Sequence, residues 1–384
     1  MKSNETLLQN ECLVCPKGGH SAMQFTFSEE QMLAAQSLRK LLLDYCSTAS
    51  LRRTADDPDG QTALSETALR RTRLNSLGLA GALVPEEQGG LGLAAIDLVL
   101  LAEEAGRAAL PEPLIEQVGN ANALLARLSK DISLLRPIMA QVLAGEASVI
   151  CLPPGTKYIV GVGLADFIIT SHTDTKLSIF DLLKVSVTNR ESIDPLRKLS
   201  IVSTNDVSPI AKIQGDVAVA QWEIARARGA VFGAAELLGL AQRMVEIAVT
   251  YSLERKQFGK VIGSNQALKH HLANAQIKIE FARPVVYAAA AALGALGVPS
   301  RQTLVRVSHA FIAAGDAADF AARTAIQVHG AMGYSWEIDL QFFAKRAWAL
   351  IACHGGRSYH GKRIHAAMLD TTFLAGPEKL FELA

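Results

Sequence analysis

The first part of the chain places apolar residues at the spacing of amphipathic helices. Ser28 followed by Gln31 is a capping-box signature, which marks the start of a helix. Apolar residues then recur three or four positions apart, and this spacing predicts three helices, over 32–45, 65–77 and 94–109. Gly78 is suited to end the second helix, and Pro111 stops the third. The start of the chain is therefore expected to be a helical domain.

Residues 147–215 have a different pattern, in which short β-branched and aromatic runs are separated by turn residues. Six strands are predicted, at 149–151, 158–160, 167–170, 177–180, 185–188 and 201–203. Gly161-Val-Gly163 resembles the start of a dinucleotide-binding loop, but a strand follows it where that fingerprint needs a helix. We interpret it as a turn. This part of the chain is expected to be a small antiparallel β domain.

The remainder of the chain is helical again, with long alanine-rich stretches at 225–253, 266–293 and 304–328. Helices that are apolar on most faces are buried in a bundle or in a subunit interface. The fold class is therefore α+β and mostly α. The expected organisation is an N-terminal extension, a helical domain, a reduced β domain and a C-terminal helical bundle, over 1–26, 27–146, 147–215 and 216–384.

Charge and hydropathy narrow the classes of function. The chain has 384 residues, with 38 Lys and Arg against 37 Asp and Glu, which excludes a nucleic-acid binder that depends on bulk positive charge. The longest uncharged run, between Arg283 and Arg301, is mostly Ala and Gly and is too weakly apolar for a membrane span. The first twenty residues lack the apolar segment of a secretory signal. We therefore expect a cytoplasmic protein.

Metal chemistry has little support in the sequence. The five cysteines are odd in number and scattered, which is typical of reduced thiols. Cys12 and Cys15, followed by His20, make half of a zinc-site spacing without a second ligand pair nearby. No HExxH pattern, nucleophile elbow or P-loop is present. We expect no metal site.

Two segments carry candidate chemistry. Residues 251–259 place a charged, aromatic turn that ends in glycine between two apolar helices. An arginine there can bind a phosphate through its forked donors, and a phenylalanine can lie against a flat ring. Residues 325–334 place two glycines just after another apolar helix, where backbone can approach a ligand closely. From the residues alone, a solvated helix connector and a helix cap remain open alternatives.

Taken together and in this domain order, the two segments resemble the acyl-CoA dehydrogenase family of flavoproteins. The resemblance extends from Phe27 to the C-terminus, and the loop at 78–92 and Glu103-Glu104-Ala-Gly-Arg107 also match the family. It implies FAD as the cofactor, bound partly across a subunit interface by an Arg-x-x-Phe-Gly turn and a glycine-rich turn. The positions that it assigns to FAD are Arg255, Gln257, Phe258, Gln266, Gln327, Gly330 and Ala331.

The chain departs from the family at the catalytic base. Family members remove the α-proton of an acyl thioester with a glutamate, which lies in one of two places. These places correspond to His354 and, roughly seven helical turns before Arg255, to Gly229. Cys151-Leu152-Pro153 replaces the family's Thr-Glu-Pro strand, and the Gly-Ser-Asp segment that should follow is missing. Neither catalytic position holds a carboxylate, so no catalytic residue is assigned in this chain.

These departures indicate the partner subunit of a heteromeric acyl-CoA dehydrogenase. Some bacterial members of the family are α2β2 heterotetramers, in which one partner lacks the base and completes the FAD site of the other. The resemblance implies an acyl-CoA substrate, a homo- or hetero-oligomer, and an electron acceptor similar to electron-transfer flavoprotein. Two alternatives stay open: a complete enzyme that uses His354 as its base, and a scaffold of the same fold without FAD.

Overall fold

A computed structural model describes residues 26–56, 59, 61–257, 259–294 and 298–370, so Cys12, Cys15, His20 and Phe258 lie outside the described residues. The first helices are α1 to α7: Glu29–Tyr45, Thr48–Asp56, Gln61–Asn75, Ala95–Arg107, Leu114–Glu116, Asn122–Asp131 and Arg136–Leu143. A π-helical turn, Gln117–Ala121, separates α5 from α6. The predicted capping box is present, because the Gln31 backbone N–H donates to Ser28 Oγ and the Ser28 N–H donates to Gln31 Oε1.

The predicted strands are present, and one further strand joins them. Strands β1 to β7 are Val149–Leu152, Ile159–Val160, Phe167–Thr170, Lys176–Asp181, Ser186–Arg190, Leu199–Ser203 and Ala211–Gln214. They form a four-stranded sheet in the order β1-β3-β4-β7 and a three-stranded sheet in the order β2-β6-β5. The additional strand is β7, whose sequence Ala-Lys-Ile-Gln has a single β-branched residue and so gave little strand signal.

One strand pair differs from the expected antiparallel arrangement. β1 and β3 are parallel, with Val149 opposite Phe167, whereas every other pair in the two sheets is antiparallel. The reason is the connection between them: the chain leaves the first sheet, adds β2 to the second sheet and then returns. A crossover of this kind brings two strands together in the same direction, which a tight hairpin does not.

The C-terminal part consists of long helices around α8. They are α8 to α12: Asp216–Glu254, Gln266–Ala292, Arg301–His329, Leu340–Ile351 and Gly356–Met368, with a short hairpin of β8 (Lys256–Gln257) and β9 (Lys260–Val261) after α8. The three predicted long helices are confirmed, and two of them, α8 and α10, begin earlier than predicted, at Asp216 and Arg301. α8 is the central helix, since it packs against α4, α9, α10 and α11.

The crossing of α4 and α8 depends on two glycines. A Cβ on Gly106 would lie 2.1 Å from the Glu236 carbonyl oxygen, and a Cβ on Gly239 would lie 1.9 Å from that of Glu103. The two backbones therefore touch at this crossing, where no other residue type fits. One continuous apolar cluster joins the N-terminal helices to the bundle. Among the helices that the structure describes, none has both the length and the apolar character that a membrane span requires.

Candidate functional site

The first candidate segment lies at the C-terminal end of α8. The helix ends at Glu254, and the β8–β9 hairpin and a 3-10 turn at Ile262–Ser264 lead into α9. Gly263 brings this turn against α8, because a Cβ there would lie 2.9 Å from the Ser252 carbonyl oxygen. The three polar residues that the sequence singled out here are all exposed: Arg255, Gln257 and Gln266. In the part of the chain that the structure describes, the Arg255 guanidinium forms no ion pair.

The second candidate segment lies at the C-terminal end of α10. Gly330 ends the helix with φ +60°, and a 3-10 turn, Gly330–Tyr334, follows. A Cβ on Gly333 would lie 2.6 Å from the Ile326 carbonyl oxygen, so glycine is required for the turn to fold back on the helix. Gln327, in the last turn of α10, and Gly330 and Ala331, on the 3-10 turn, are exposed.

An aromatic contact joins the two segments. The ring of Tyr251 stacks on the imidazole of His329, with the ring centroids 4.3 Å apart. His329 Nδ1 lies 2.7 Å from the Ala325 carbonyl oxygen, and burial lowers the pKa of this imidazole. The stack lies one turn before Arg255 on α8 and directly before Gly330 on α10. The structure therefore brings the two segments together at one end of the bundle.

The side chains and open backbone at this end of the bundle suit the part of FAD that the resemblance assigns to them. Among the described residues, this end presents the exposed guanidinium of Arg255 without an ion pair, exposed amide side chains at Gln327 and Gln266, and a glycine turn whose backbone is open. These are the donors that a pyrophosphate and an adenosine require. Gly330 has open space within 4 Å of where its Cβ would be, so a ligand can approach the backbone there.

The two positions that correspond to the family's glutamate meet in space. A Cβ on Gly229 would lie 2.8 Å from Nδ1 of His354, and a Cβ on Gly233 would lie 2.9 Å from its Cδ2. The imidazole therefore occupies the groove that the two glycines leave on one face of α8. Enclosure of the ring lowers the pKa of His354 to about 4. The imidazole is neutral at pH 7 and is a weaker base than free histidine.

The backbone around His354 is held in a left-handed conformation. Three consecutive residues have positive φ: His354 at +53°, Gly355 at +93° and Gly356 at +63°. His360 supports this loop, because its Nε2 lies 3.1 Å from the His354 carbonyl oxygen, which can only accept, while Nδ1 lies 3.0 Å from Ser308 Oγ. Burial lowers the pKa of His360 to about 4, which matches a neutral ring that accepts from Ser308.

A small cavity of about 20 Å³ adjoins the His354 ring, and sequence reasoning missed most of its polar residues. Glu116 and Asn120 border it from α5 and the π-helical turn, and Glu236 borders it from α8. Burial, followed by the charge of Glu116, raises the pKa of Glu236 to about 7. The sequence signal was a single carboxylate in the otherwise apolar stretch 229–241.

Two buried arginines lie beside the cavity. Arg197 pairs with Glu116, and Arg346 pairs with Asp194. Both arginines also donate to the Leu110 carbonyl oxygen, at 3.1 Å from Arg197 Nη2 and 2.8 Å from Arg346 Nη1. Arg197 Nη2 lies 3.8 Å from Glu236 Oε1, which is too long for a hydrogen bond. This network joins α5 and α11 through the segment at residues 194–197, and Glu236 of α8 faces it at ion-pair distance.

Other candidates from the sequence give no site. Gly161 has φ +79° and begins a short 3-10 turn that leads into β3, so the glycine pair is the predicted turn. Within the described residues, no three His, Cys, Asp or Glu side chains come together in a way that could hold a metal ion. The polar end of the bundle and the His354 cavity are therefore the two places where chemistry is concentrated.

Comparison with known proteins decides the family. The model of the acyl-CoA dehydrogenase N-terminal domain matches residues 28–129, and that of the C-terminal domain matches residues 217–369. The chain belongs to the acyl-CoA dehydrogenase family. The resemblance seen in the sequence is thus confirmed, and with it the α+β, mostly helical fold. Enzymes of this family are FAD-dependent oxidoreductases that act on acyl-CoA thioesters.

Individual relatives agree with this assignment. Acyl-CoA dehydrogenase IpdE2 of Mycobacterium tuberculosis (strain ATCC 25618 / H37Rv) is 30% identical over 321 residues, which cover 83% of this chain and 91% of that protein. The fold matches the ChsE4-ChsE5 complex from Mycobacterium tuberculosis, with a TM-score of 0.77 at 19% identity over 91% of this chain and 100% of that one. The Tcur3481-Tcur3483 steroid ACAD matches with a TM-score of 0.72 at 21% identity, over 88% and 97%.

Proposed function

We propose that this chain is the subunit of an FAD-dependent acyl-CoA dehydrogenase complex that completes the FAD site of a neighbouring subunit and itself lacks the catalytic base. The observation that carries the proposal is a contrast between two regions. The polar end of the bundle retains its exposed guanidinium and glycine turn, whereas the two glutamate positions hold an imidazole packed against a glycine.

The proposed contribution to FAD follows from exposure and geometry. Arg255 donates to the pyrophosphate of the neighbouring subunit's cofactor, which is a charge-assisted contact. Gln327 and the backbone at Gly330 and Ala331 bind the adenosine end, and Gln266 donates from the start of α9. Gln257 lies in the hairpin after Arg255, and the resemblance to the family assigns Phe258, which is outside the described residues, to the cofactor as well. When bound, the flavin supplies the acceptor for the substrate's hydride, and the residues of this chain hold the cofactor in place.

The absence of a base follows from the residues at the two glutamate positions. A base for the weakly acidic α-proton needs a carboxylate in a dry pocket. Gly229 has no side chain, and His354 has a pKa of about 4, well below the ordinary value of 6.5. This pKa makes His354 a poor proton acceptor near neutral pH, which favours the partner role over a complete enzyme with His354 as its base.

The substrate of the complex is an acyl-CoA thioester. Two heteromeric neighbours have this fold, and one of them is described as a steroid ACAD. We extend the substrate class to fatty or steroid side-chain acyl groups, with an acceptor similar to electron-transfer flavoprotein. We also propose a cytoplasmic location, because Cys46, Cys151 and Cys353 are free thiols. The domain boundaries are proposed to lie near residues 26, 146 and 215.

Flavin occupancy tests the proposal. The chain is purified alone and also coexpressed with a candidate partner, an acyl-CoA dehydrogenase subunit that has the catalytic glutamate, and absorbance at the flavin bands is recorded for both samples. We expect flavin in the complex and little in the isolated chain. Arg255→Ala should lower the affinity of the complex for FAD by about one to two decades, because loss of a charge-assisted contact costs roughly 1.5–3 kcal/mol.

The matched control is Arg301→Ala. Arg301 is exposed at the other end of α10, about 42 Å from the His329 end at 1.5 Å per residue. This variant should keep wild-type flavin content. In the same complex, His354→Ala should keep turnover, since the partner supplies the base. A hundredfold loss with flavin intact would make His354 catalytic, and a complex without flavin would indicate the FAD-less scaffold.

A further inference from the structure

A cluster of charged side chains joins three parts of the chain below the surface. Glu116 comes from α5, Asp194 and Arg197 from the segment between β5 and β6, Glu236 from α8, and Arg346 from α11. Arg197 pairs with Glu116, and Arg346 pairs with Asp194. Apart from Glu116, each of these residues is less than a tenth exposed. The N-terminal helices, the three-stranded sheet and the C-terminal bundle therefore meet at two ion pairs.

The cluster contains one carboxyl group more than its two guanidinium groups can neutralise. The two ion pairs leave Glu236 as the third carboxyl, and its Oε1 lies 3.8 Å from Nη2 of Arg197, which already pairs with Glu116. Two glutamates therefore compete for one arginine. A buried carboxylate without a cation of its own is costly, so Glu236 is protonated while Arg197 remains with Glu116.

The atoms needed for an exchange of partners are already present. Nε of Arg197 and Nη2 of Arg346 are buried donors without a partner among the described residues, and Oε2 of Glu116 and Oε1 of Glu236 are buried acceptors in the same position. Each side of the cluster can thus form a further hydrogen bond after a small movement. The present pairing is one of two arrangements that the same groups can adopt.

The groups around Glu236 determine the pH at which it ionises. Charged and titratable side chains face it from α5, from the segment before β6, from α11 and from the loop before α12, and they are Glu116, Asp194, Arg197, Arg346, Cys353 and His354. The last two are neutral at pH 7, because burial raises the pKa of Cys353 to about 11 and lowers that of His354 to about 4. Burial, followed by the charge of Glu116, raises the pKa of Glu236 to about 7.

Glu116 is the carboxylate that can leave the cluster. Its side chain is 27% exposed, whereas that of Glu236 is 4% exposed and belongs to the central helix. Glu116 ends α5, a helix of three residues, and the π-helical turn that follows packs on α8, where a Cβ on Gly119 would lie 2.6 Å from the ring of Phe232. Short and irregular helical segments open at a lower cost than long helices do.

We propose that ionisation of Glu236 draws Arg197 away from Glu116 and releases α5 and the π-helical turn from α8, which opens the adjoining cavity. The proton passes to solvent, the new carboxylate takes the guanidinium, and Glu116 becomes hydrated. Glu116 and Asn120 border the cavity from the released side, so the change uncovers the His354 ring. The junction is closed below neutral pH and opens as the pH rises through about 7.

Hydrogen exchange of the purified full-length chain tests this exchange of partners. Amides at 114–121 are followed by mass spectrometry at pH 6 and pH 8, with correction for the intrinsic pH dependence of amide exchange. The wild-type segment should open about tenfold more often at pH 8, because Glu236 ionises more readily in the open state. Glu236→Gln, which cannot ionise, should exchange slowly at both pH values. Glu116→Gln, which lacks the ion pair with Arg197, should exchange fast at both.

Glu104→Gln is the matched control, because Glu104 is another buried glutamate paired with an arginine, Arg39 of α1. It should keep the wild-type response. The same pH response in Glu236→Gln as in wild type would overturn the inference, and so would a wild-type segment that does not respond. Equal exchange at 114–121 and in the middle of α8 would also overturn it, since the segment would then open only when the whole protein unfolds. Flavin takes no part in this measurement, so its result is independent of the proposed function.

Discussion

Gly229 and His354 compete for one space: a Cβ on the glycine would lie 2.8 Å from Nδ1 of the imidazole. The ring lies where a side chain at position 229 would otherwise project. We predict that Gly229→Ala destabilises the protein by about 1–3 kcal/mol, because overpacking forces the His354 loop to move. The midpoint of urea unfolding measures this change.

In a second background, Gly229→Ala should change the free energy of unfolding in the opposite direction. In a His354→Gly background the ring is gone and the positive φ is kept without strain, so Gly229→Ala should stabilise α8 by up to about 1 kcal/mol through helix propensity alone. Gly315→Ala is the matched control, since its Cβ would make an ordinary contact of 3.6 Å with Ile351. It should be stabilising in both backgrounds. Additive effects of the changes at 229 and 354 would show that the two residues do not share this space.

Because the pKa of Glu236 is raised, this residue should make the folded protein less stable as the pH rises. A carboxyl whose pKa rises on folding contributes stability that is complete below about pH 4.5 and is lost as the pH rises through about 7. Glu236→Gln cannot ionise and avoids this loss. We expect the variant to gain on the order of 2 kcal/mol relative to wild type between pH 5 and pH 8, since one pKa unit corresponds to about 1.4 kcal/mol.

The comparison isolates Glu236 because both proteins keep the other buried groups. His354 and His360 have lowered pKa values of about 4 and destabilise the fold as the pH falls from 6.5, equally in both proteins. Urea unfolding at matched pH values measures the difference. If the difference in free energy of unfolding between Glu236→Gln and wild type is the same at pH 5 and at pH 8, Glu236 is ionised throughout this range.

Much of the fold could be predicted from local pattern. The long helices, the capping box at Ser28 and six of the strands follow from periodicity and turn residues, which act within a few positions along the chain. The parallel pairing of β1 with β3 could not, because it depends on a crossover through the second sheet. The stack of Tyr251 on His329 joins two motifs that the sequence presents 78 positions apart (329 − 251).

The His354 cavity shows the limit of sequence reasoning more sharply. Glu116, Glu236 and His354 are each more than a hundred positions from the next, and only the packing of α5, α8 and the loop before α12 brings them together. The resemblance to the family located Gly229 and His354 separately, without showing that one fills the space left by the other. Glu236 gave a weak signal, since a lone carboxylate in an apolar helix also fits a surface position.

The exposed face of α9 predicts how the chain assembles. Phe281 is 77% exposed and Ile277 is 51% exposed, one turn apart on the side of α9 opposite its buried alanines. Apolar side chains exposed in this way mark an interaction surface. We expect at least a dimer through the C-terminal bundle, and Phe281→Asp should shift it toward a 41.0 kDa species in light scattering at micromolar concentration. Leu64→Asp, at a 50% exposed leucine on α3, should leave the mass of the assembly unchanged. A wild-type protein that is already monomeric, or an assembly that survives Phe281→Asp, would contradict this prediction.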